Sequence, residues 1–275
     1  MATSANWRKP FPENSIHDEE NKPIPFHLPQ QQIWDSNRRL LAMIAGSQGG
    51  KTSFGPWWLE REIETMGGGD FLAVTASFDL FKLKMLPTML NVYEHILGIG
   101  RYWTGDKIIE IKDPKQGRFL ASRVTDKMWA RIILRSADAL GGLESATAGA
   151  AWLDECGQDR FTRGAYQAIR RRLAIKRGRI LMTTTLYNLG WLVDTIIDKA
   201  TSNGTSVLGH IGNAEYEIVD DEKDNIFLIQ FDSTVNPSFS EEEFEEQRAA
   251  MSDEDFNMFY RGRKASYRSM IYDCF

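Results

Sequence analysis

Cysteine is scarce in this chain. Among 275 residues only Cys156 and Cys274 occur, too few for a disulfide framework. Cys156 directly follows Glu155 and reads as a small packing residue rather than a nucleophile. A reducing, intracellular setting is the expectation. No uninterrupted apolar stretch is long enough to cross a membrane, and no secretory signal opens the chain. No membrane association is therefore expected. Positive charge is not in surplus either: 33 Lys and Arg face 38 Asp and Glu, for a net charge of −5. That excludes a wholesale basic footprint for nucleic acid, so any such contact must use a local patch. No internal repeat is evident. Hydrophobic content of 42% and charged content of 26% are those of a globular protein. The length suits one large domain, or one domain with a small appendage.

The strongest signal is Leu40–Ser53, LLAMIAGSQGGKTS. An apolar strand-like run leads into a glycine-rich turn, then Lys-Thr, then helical spacing at Trp57, Trp58, Leu59 and Ile63. Backbone N–H groups can cradle phosphates only where side chains stand clear, and Gly46, Gly49 and Gly50 supply that clearance. Ser47, Gln48 and Ser53 complete the loop. Lys51 would reach the β- and γ-phosphates, and Thr52 would place its hydroxyl on bound Mg²⁺. The following helix aims its N-terminal N–H groups at the same anion. ATP and Mg²⁺ are the expected ligands. One departure from the usual pattern is Ala45, where the first glycine normally stands.

A second segment completes the chemistry. Ala148–Glu155 reads AGAAWLDE, a buried-strand pattern ending in two carboxylates. Asp154 is assigned to the magnesium shell. Glu155 is assigned to orienting or deprotonating the attacking water, and an Asp-Glu tandem favours hydrolysis over simple binding. Thr183, Thr184 and Thr185 end the next core strand. Strand-terminal hydroxyls there are suited to sensing the γ-phosphate and relaying its loss.

Residues 1–30 are polar and proline-punctuated and read as an arm. Residues 31–204 alternate strand and helix patterns, with FLAVT, AGAAWLDE and RILMTTT as buried strands. Residues 106–135 read as a β-rich excursion. Phosphate chemistry at strand C-termini within such alternation predicts an α/β three-layer sandwich with a mostly parallel sheet. Beyond Gly204 the texture changes. YEIVD and NIFLIQFD are strand-like, Ser240 begins an acidic helix with a capping box, and a second helix runs to Tyr260. Residues 205–275 read as a small lid subdomain.

Taken in order, these segments resemble the ATPase domain of the large terminase subunit of tailed bacteriophages. The resemblance runs from about Pro25 to the last residue, through LPQQQIWDS, AGSQGGKT, FLAVTAS, LRSADALGGLES, AAWLDE, LMTTT and VNPSFSEEEFEEQ. FYRGRKASYRSMIYDCF looks like the junction to the family's nuclease domain. The resemblance implies a RecA-like P-loop fold of the additional-strand, catalytic-glutamate type. It implies a genome-packaging motor that works in the host cytoplasm and transiently at the procapsid portal. Its implied partners are double-stranded DNA, the portal protein, the terminase small subunit and copies of itself in a ring. The paired metal-binding carboxylates of a nuclease are missing, so no DNA cleavage by this chain is expected. The resemblance also assigns an adenine contact to Gln30, with Gln31 and Gln32 as rivals. It assigns a trans-acting arginine finger to Arg135, with Arg123, Arg131 and Arg163 as alternatives. Two family features differ: Ser47 and Gln48 stand where an arginine is common, and Leu186-Tyr187 follow Thr184-Thr185 where Thr-Thr-Pro is usual.

Two basic runs are candidate DNA surfaces: Arg160 to Arg179, including Arg163, Arg170, Arg171, Arg172, Lys176 and Arg177, and a second of Arg261, Arg263, Lys264 and Arg268. Arg172 has an alternative reading, inward and near the nucleotide. Three other functions share the P-loop. A helicase-like ATPase would need a second RecA-like domain, for which the chain has no room. A nucleotide-gated scaffold would tolerate loss of Glu155. A P-loop kinase would need an acceptor pocket that no segment defines.

Overall fold

A computed structural model describes residues 15–17, 22–122, 126–139 and 147–264. Two short strands, β1 (Ser15–His17) and β2 (Pro23–Pro25), pair antiparallel ahead of the first helix, α1 (Leu28–Asp35). The P-loop strand β3 (Leu40–Ala45) is buried at every position, as the continuous apolar run of a parallel strand covered on both faces requires. It leads through the loop into α2 (Lys51–Met66), followed by β4 (Gly69–Thr75). A helical run over residues 78–96, α3, carries two π-turns. The antiparallel pair β5 (Gly100–Trp103) and β6 (Ile108–Ile111) precedes β7 (Ala130–Ser136). Then come β8 (Ala150–Asp154), α4 (Arg163–Arg172), β9 (Arg179–Thr184) and a helix over residues 193–203, α5. A meander of β10 (Thr205–Ile211), β11 (Ala214–Asp221) and β12 (Ile226–Phe231) precedes two short helices, α6 (Glu241–Ala250) and α7 (Asp253–Tyr260). Among the described residues no helix is long and apolar enough to cross a membrane.

Ten strands form one sheet in the order β10-β11-β12-β3-β9-β8-β4-β7-β6-β5. The stretch from β12 to β7 is parallel throughout. Strand β9 lies between the P-loop strand and the Asp154 strand, which is the additional-strand arrangement the resemblance implies. Side-chain alternation divides the core into two layers. On one face Leu41, Met43, Phe71 and Trp152 pack with Phe54 and Trp58 of α2 and Phe81 and Met85 of α3. On the other, Ile44, Val74 and Leu153 pack with Tyr166 and Ile169 of α4 and Val193 and Ile196 of α5. The result is the expected three-layer α/β sandwich.

Two placements differ from the sequence reading. Strand β7 is no excursion: it pairs in parallel with β4 and closes the parallel part of the sheet, while β5 and β6 add the antiparallel margin on that side. And the strands of residues 205–231 do not leave the core, because β12 pairs in parallel with β3. The change of texture at Gly204 marks exposure rather than a new unit, since β10 is exposed along most of its length. Only α6 and α7 have a small core of their own, made of Phe239, Phe244 and Phe256 with Tyr260 against them.

Gly55 shows how tightly the P-loop helix seats on the sheet. A Cβ there would lie 2.0 Å from the Trp152 ring. Alanine normally favours a helix interior by about 1 kcal/mol over glycine. Here Gly55→Ala is expected to destabilise the fold by about 2 kcal/mol through overpacking. In urea unfolding, combining it with Trp152→Phe should show a coupling energy, with the double variant less destabilised than the sum of the two single changes.

Candidate nucleotide site

The register places the functional strand ends side by side. Asp154 pairs with Thr183, Met43 with Thr183, Ile44 with Thr184, and Thr75 with Asp154. Three neighbouring strands therefore deliver the P-loop, the threonine run and the Asp-Glu tandem to one edge. Gly50 caps α2 in the left-handed region at φ 77°, and Gln48 adopts φ 60°. Loop amides are partly committed within the fold: Gly46 N–H donates to Phe231, Ser47 N–H to Phe259 and Gly49 N–H to Gly46. Helix geometry leaves the N–H groups of Lys51, Thr52 and Ser53 without intrahelical acceptors, and these are the donors best suited to an anion. The Ser53 hydroxyl donates to the Gly50 carbonyl at 3.2 Å.

Lys51 is buried at 5% exposure. Its Nζ donates to the Ala45 and Gly46 carbonyls at 3.0 and 2.7 Å and to the Thr185 hydroxyl at 3.0 Å. Burial pushes its ammonium down to about 8, against the pull of the Glu155 and Asp154 carboxylates. Asp154 is buried at 1% exposure. It accepts from the Thr52 hydroxyl at 3.2 Å and from the Thr183 hydroxyl at 2.8 Å. The Trp152 indole N–H donates to the same Thr183 oxygen at 2.8 Å and so orients it. Burial, then the neighbouring Glu155 charge, pushes the Asp154 carboxyl up to about 7. A cation at this position would relieve both effects. The hydroxyl and carboxylate are hard oxygen donors of the kind Mg²⁺ takes. Among the described residues no group of three or more His, Cys, Asp or Glu is arranged to hold a metal. Mg²⁺ needs no such cage, because it relies on one or two carboxylates plus phosphates and water.

Glu155 occupies φ 53°, unusual for a non-glycine residue. Its N–H donates to Thr183, and its Oε2 accepts from the Thr184 hydroxyl at 3.4 Å. The Thr184 hydroxyl also accepts from Gly157 N–H, and its single proton is shared between Glu155 and the nearer Thr185 carbonyl at 2.8 Å. Sequence reasoning missed Tyr187. Its phenol hydrogen-bonds Glu155, and burial with that carboxylate pushes it up to about 12. Its ring lies 6.1 Å from that of Phe259 in α7. Cys156 is free and buried, consistent with a packing role, and burial raises its thiol well above the usual range.

The P-loop is held from both ends of the chain. Gln30, buried at 1% exposure, donates from Nε2 to the Gly50 carbonyl at 3.1 Å, and its Oε1 accepts from His27 N–H. Gln31 instead donates to Asp35 on the exposed side of α1. His27 caps α1 and was missed. Its Nδ1 accepts from Gln30 N–H, so Nε2 carries the hydrogen and donates to the Gly49 carbonyl at 3.2 Å. From the C-terminal side, Asn236 donates to the Gln48 carbonyl at 2.6 Å. Gly46 gives clearance, but to protein: a Cβ there would lie 2.1 Å from the Tyr260 carbonyl oxygen and 2.2 Å from Ser233 Oγ. The only sequence sign of His27 is its place three residues before Gln30, a capping box with histidine in the usual Ser/Thr position.

The arginine candidates separate. Arg131 pairs with Asp70 at 2.7 Å, near the start of β4, and Arg163 pairs with Asp194 at 3.1 Å. Arg135 lies near the C-terminal end of β7, on the phosphate edge. Its guanidinium donates to the Leu134 carbonyl at 2.8 Å and to the Asp106 carbonyl at 3.4 Å. Burial, then Arg131, lowers its pKa. Arg123 and Arg268 lie outside the described residues. The inward reading of Arg172 is overturned: its carbonyl accepts from Ala148 N–H ahead of β8, at the opposite end of the strands.

Burial lowers the His27 imidazole to about 4, below its usual 6.5. The bond that Nδ1 accepts from Gln30 N–H requires the neutral ring, whereas the bond that Nε2 donates to Gly49 is open to either form. The unfolded chain binds this proton more readily, so the stability from His27 is complete above about pH 6.5 and is lost as pH falls toward 4. Urea unfolding from pH 7 to 4.5 should show His27→Phe losing on the order of 2 kcal/mol less than the unsubstituted chain. Equal losses would show that His27 is not the group that titrates.

No family model and no curated protein matches the sequence. The fold has clear counterparts among solved structures. The large terminase of a thermophilic bacteriophage superposes with a TM-score of 0.66 at 10% identity, covering 87% of this chain and 54% of that one. The Thermus phage P74-26 large terminase ATPase domain gives 0.64 at 17% identity, covering 85% of this chain and 92% of that one. The first of these terminases, in complex with ATP-gamma-S, gives 0.60 at 11% identity, covering 86% and 52%. The chain spans about half the length of that full-length terminase. It has the fold of a large terminase ATPase domain.

Proposed function

We propose that this chain hydrolyses Mg-ATP and uses the free energy to move double-stranded DNA, as the motor ATPase of a phage-type terminase. The observation that carries this reading is the meeting of Lys51, Thr52, Asp154, Glu155 and Thr183 to Thr185 at one end of three adjacent parallel strands. ATP would lie along this edge. Lys51 would exchange a loop carbonyl for a phosphate oxygen, and the first-turn amides of α2 would take up further negative charge. Thr52 and Asp154 would hold Mg²⁺, which supplies charge neutralisation when bound. Glu155 would orient and deprotonate water for in-line attack. Gln30, already bonded to Gly50, has a second amide proton and would meet the adenine.

Loss of the γ-phosphate would be felt through Thr184, Thr185 and Tyr187, which link Glu155 and Lys51 to the C-terminal helices. The moving lid is then the unit after Phe231, with α6 and α7 at its centre. A ring of copies around DNA would convert its motion into translocation, with Arg135 of each copy completing its neighbour's site. The portal protein and small subunit would be its partners at the procapsid, and DNA cleavage would lie outside this chain.

Specific ATPase activity should rise with protein concentration. Glu155→Gln should lower kcat by about 10²- to 10⁴-fold while a fluorescent ATP analogue still binds. Lys51→Ala should weaken that binding. Unchanged turnover in Glu155→Gln would favour a nucleotide-gated scaffold. Arg135→Ala alone should be nearly inactive, and mixing it with Glu155→Gln should restore part of the activity, because each supplies what the other's site lacks. Absence of recovery in the mixture would rule out Arg135 as the trans group.

A further inference from the structure

The two basic runs differ in how their described cations are partnered. Arg261 and Arg263 share Glu215 at 3.6 and 2.6 Å, and Lys264 pairs with Asp198 at 2.7 Å. In the other run, Arg179 is committed to Glu62 at 2.6 Å and Arg163 to Asp194. Arg170, Lys176 and Arg177 are different. All three are exposed, and among the described residues none has a carboxylate partner.

Topology collects them. Helix α4 runs back from the phosphate edge, so the turn into β9 lies at the N-terminal ends of the parallel strands. Arg39 enters β3 at the same end and donates to the Gly178 carbonyl at 3.1 Å. Lys176 reaches across to Gly69 at the start of β4. The cations crowd one another: burial lowers the Arg39 pKa, and the positive charges of Arg170 and Arg177 lower it further. Three carboxylates on this edge are already engaged, Asp220 and Glu222 by Arg38 and Asp224 by Lys199.

The turn is also fixed in shape. Gly178 N–H donates to the Leu173 carbonyl, Arg177 N–H to Ala174, and Ala148 N–H to Arg172. Leu173 is fully buried beneath it, while Ile175 projects from its tip at 82% exposure. An exposed, hydrogen-bonded cationic turn, with no carboxylate partner among the described residues, on a chain of net charge −5 carries a repulsion that an anionic partner would relieve.

We propose that the turn between α4 and β9, with Arg39, Arg170, Lys176 and Arg177, binds the phosphodiester backbone of duplex DNA. Contact is electrostatic and independent of sequence, since the groups on this turn are phosphate-binding cations on a convex surface rather than an element shaped to enter a groove. This proposal rests on the reading that the chain works on DNA. It sits on the edge opposite Lys51 and Glu155, so DNA binding and ATP turnover can be changed separately.

The test is fluorescence anisotropy with a mixed-sequence duplex across a salt series. The chain is compared with Arg170→Glu/Lys176→Glu/Arg177→Glu and with the charge reversals Lys115→Glu/Arg118→Glu, exposed in the loop after β6 at the sheet's far lateral margin from β3. The first variant should bind at least about tenfold more weakly at 0.1 M salt, with a salt slope reduced by about 3. The control should keep the slope, and all three proteins should keep basal ATPase activity. A milder set, Arg170→Gln/Lys176→Gln/Arg177→Gln, should show an intermediate slope. Equal affinities for the first variant and the unsubstituted chain would overturn the assignment. So would an unsubstituted chain that binds no duplex at any salt. Unchanged DNA affinity with lost self-association in sedimentation would give this turn to a second copy, through its acidic α6 and α7, and would also overturn it. Analogue binding, measured in parallel, reports on the nucleotide site, so its failure is distinct from failure of the DNA surface.

Discussion

Two charged groups that water barely reaches, Lys51 and Asp154, set the terms for the rest of the fold. An isolated buried charge is costly, and it persists only where donors, acceptors and opposite charge are fixed around it. Here the ammonium is met by two loop carbonyls and Thr185, and the carboxylate by Thr52 and Thr183. Every one of those partners stands at a strand end or on the helix entered from one. The arrangement therefore exists only while β3, β9 and β8 keep their parallel register. A slip of one residue would turn Thr183 to the opposite face and leave Asp154 without its strongest donor. Trp152 serves both needs. Its ring packs against Gly55 of α2, and its N–H holds Thr183.

The phosphate loop is braced by segments about two hundred residues apart. His27 and Gln30 hold the carbonyls of Gly49 and Gly50, while Asn236 and Phe259 engage Gln48 and Ser47. Each brace uses a main-chain group of the loop, so no substitution within the loop's side chains would release it. A displacement of α6 and α7 would act on the loop and, through Phe259 and Tyr187, on Glu155. This gives the C-terminal helices a physical route to the nucleotide edge without any contact of their own with Lys51. Gly46 belongs to that route: its missing side chain admits the Tyr260 carbonyl.

Much of this was legible from residue patterns. LLAMIA, AAWLD and RILMTT read as buried strands because nothing polar interrupts them, and Lys51, Thr52, Asp154 and Glu155 follow from motif spacing alone. Strand order did not. The pattern of residues 106–135 could not reveal that Ala130–Ser136 pairs with β4, because pairing partners are set by tertiary packing rather than by alternation. The same limit hid the role of Ile226–Phe231 beside the P-loop strand, where an exposed β10 gave the segment the texture of a separate unit. The alternative reading of Arg172, inward and near the nucleotide, had no pattern that fixed its place in the fold. A ten-residue helix carries it to the far end instead. Tyr187 carries no motif and His27 only a capping box of unusual composition, and the folded chain brings both to the site.

The two ends of the parallel strands differ in how they treat charge. At the C-terminal ends, opposite charges are buried together and saturated with hydrogen bonds. At the N-terminal ends, carboxylates are consumed in pairs with Arg38, Arg179 and Lys199, and the cations of the turn face solvent. Surface ion pairs contribute little to stability, so their absence around Arg170, Lys176 and Arg177 among the described residues costs the fold little. What it does is preserve a local positive field on an acidic protein, where screening confines its reach to roughly 10 Å at 0.1 M salt. Through solvent, a field of that range does not reach the opposite edge of the sheet. Coupling between a polyanion at this turn and ATP at Lys51 would therefore pass through the packed strands and α4.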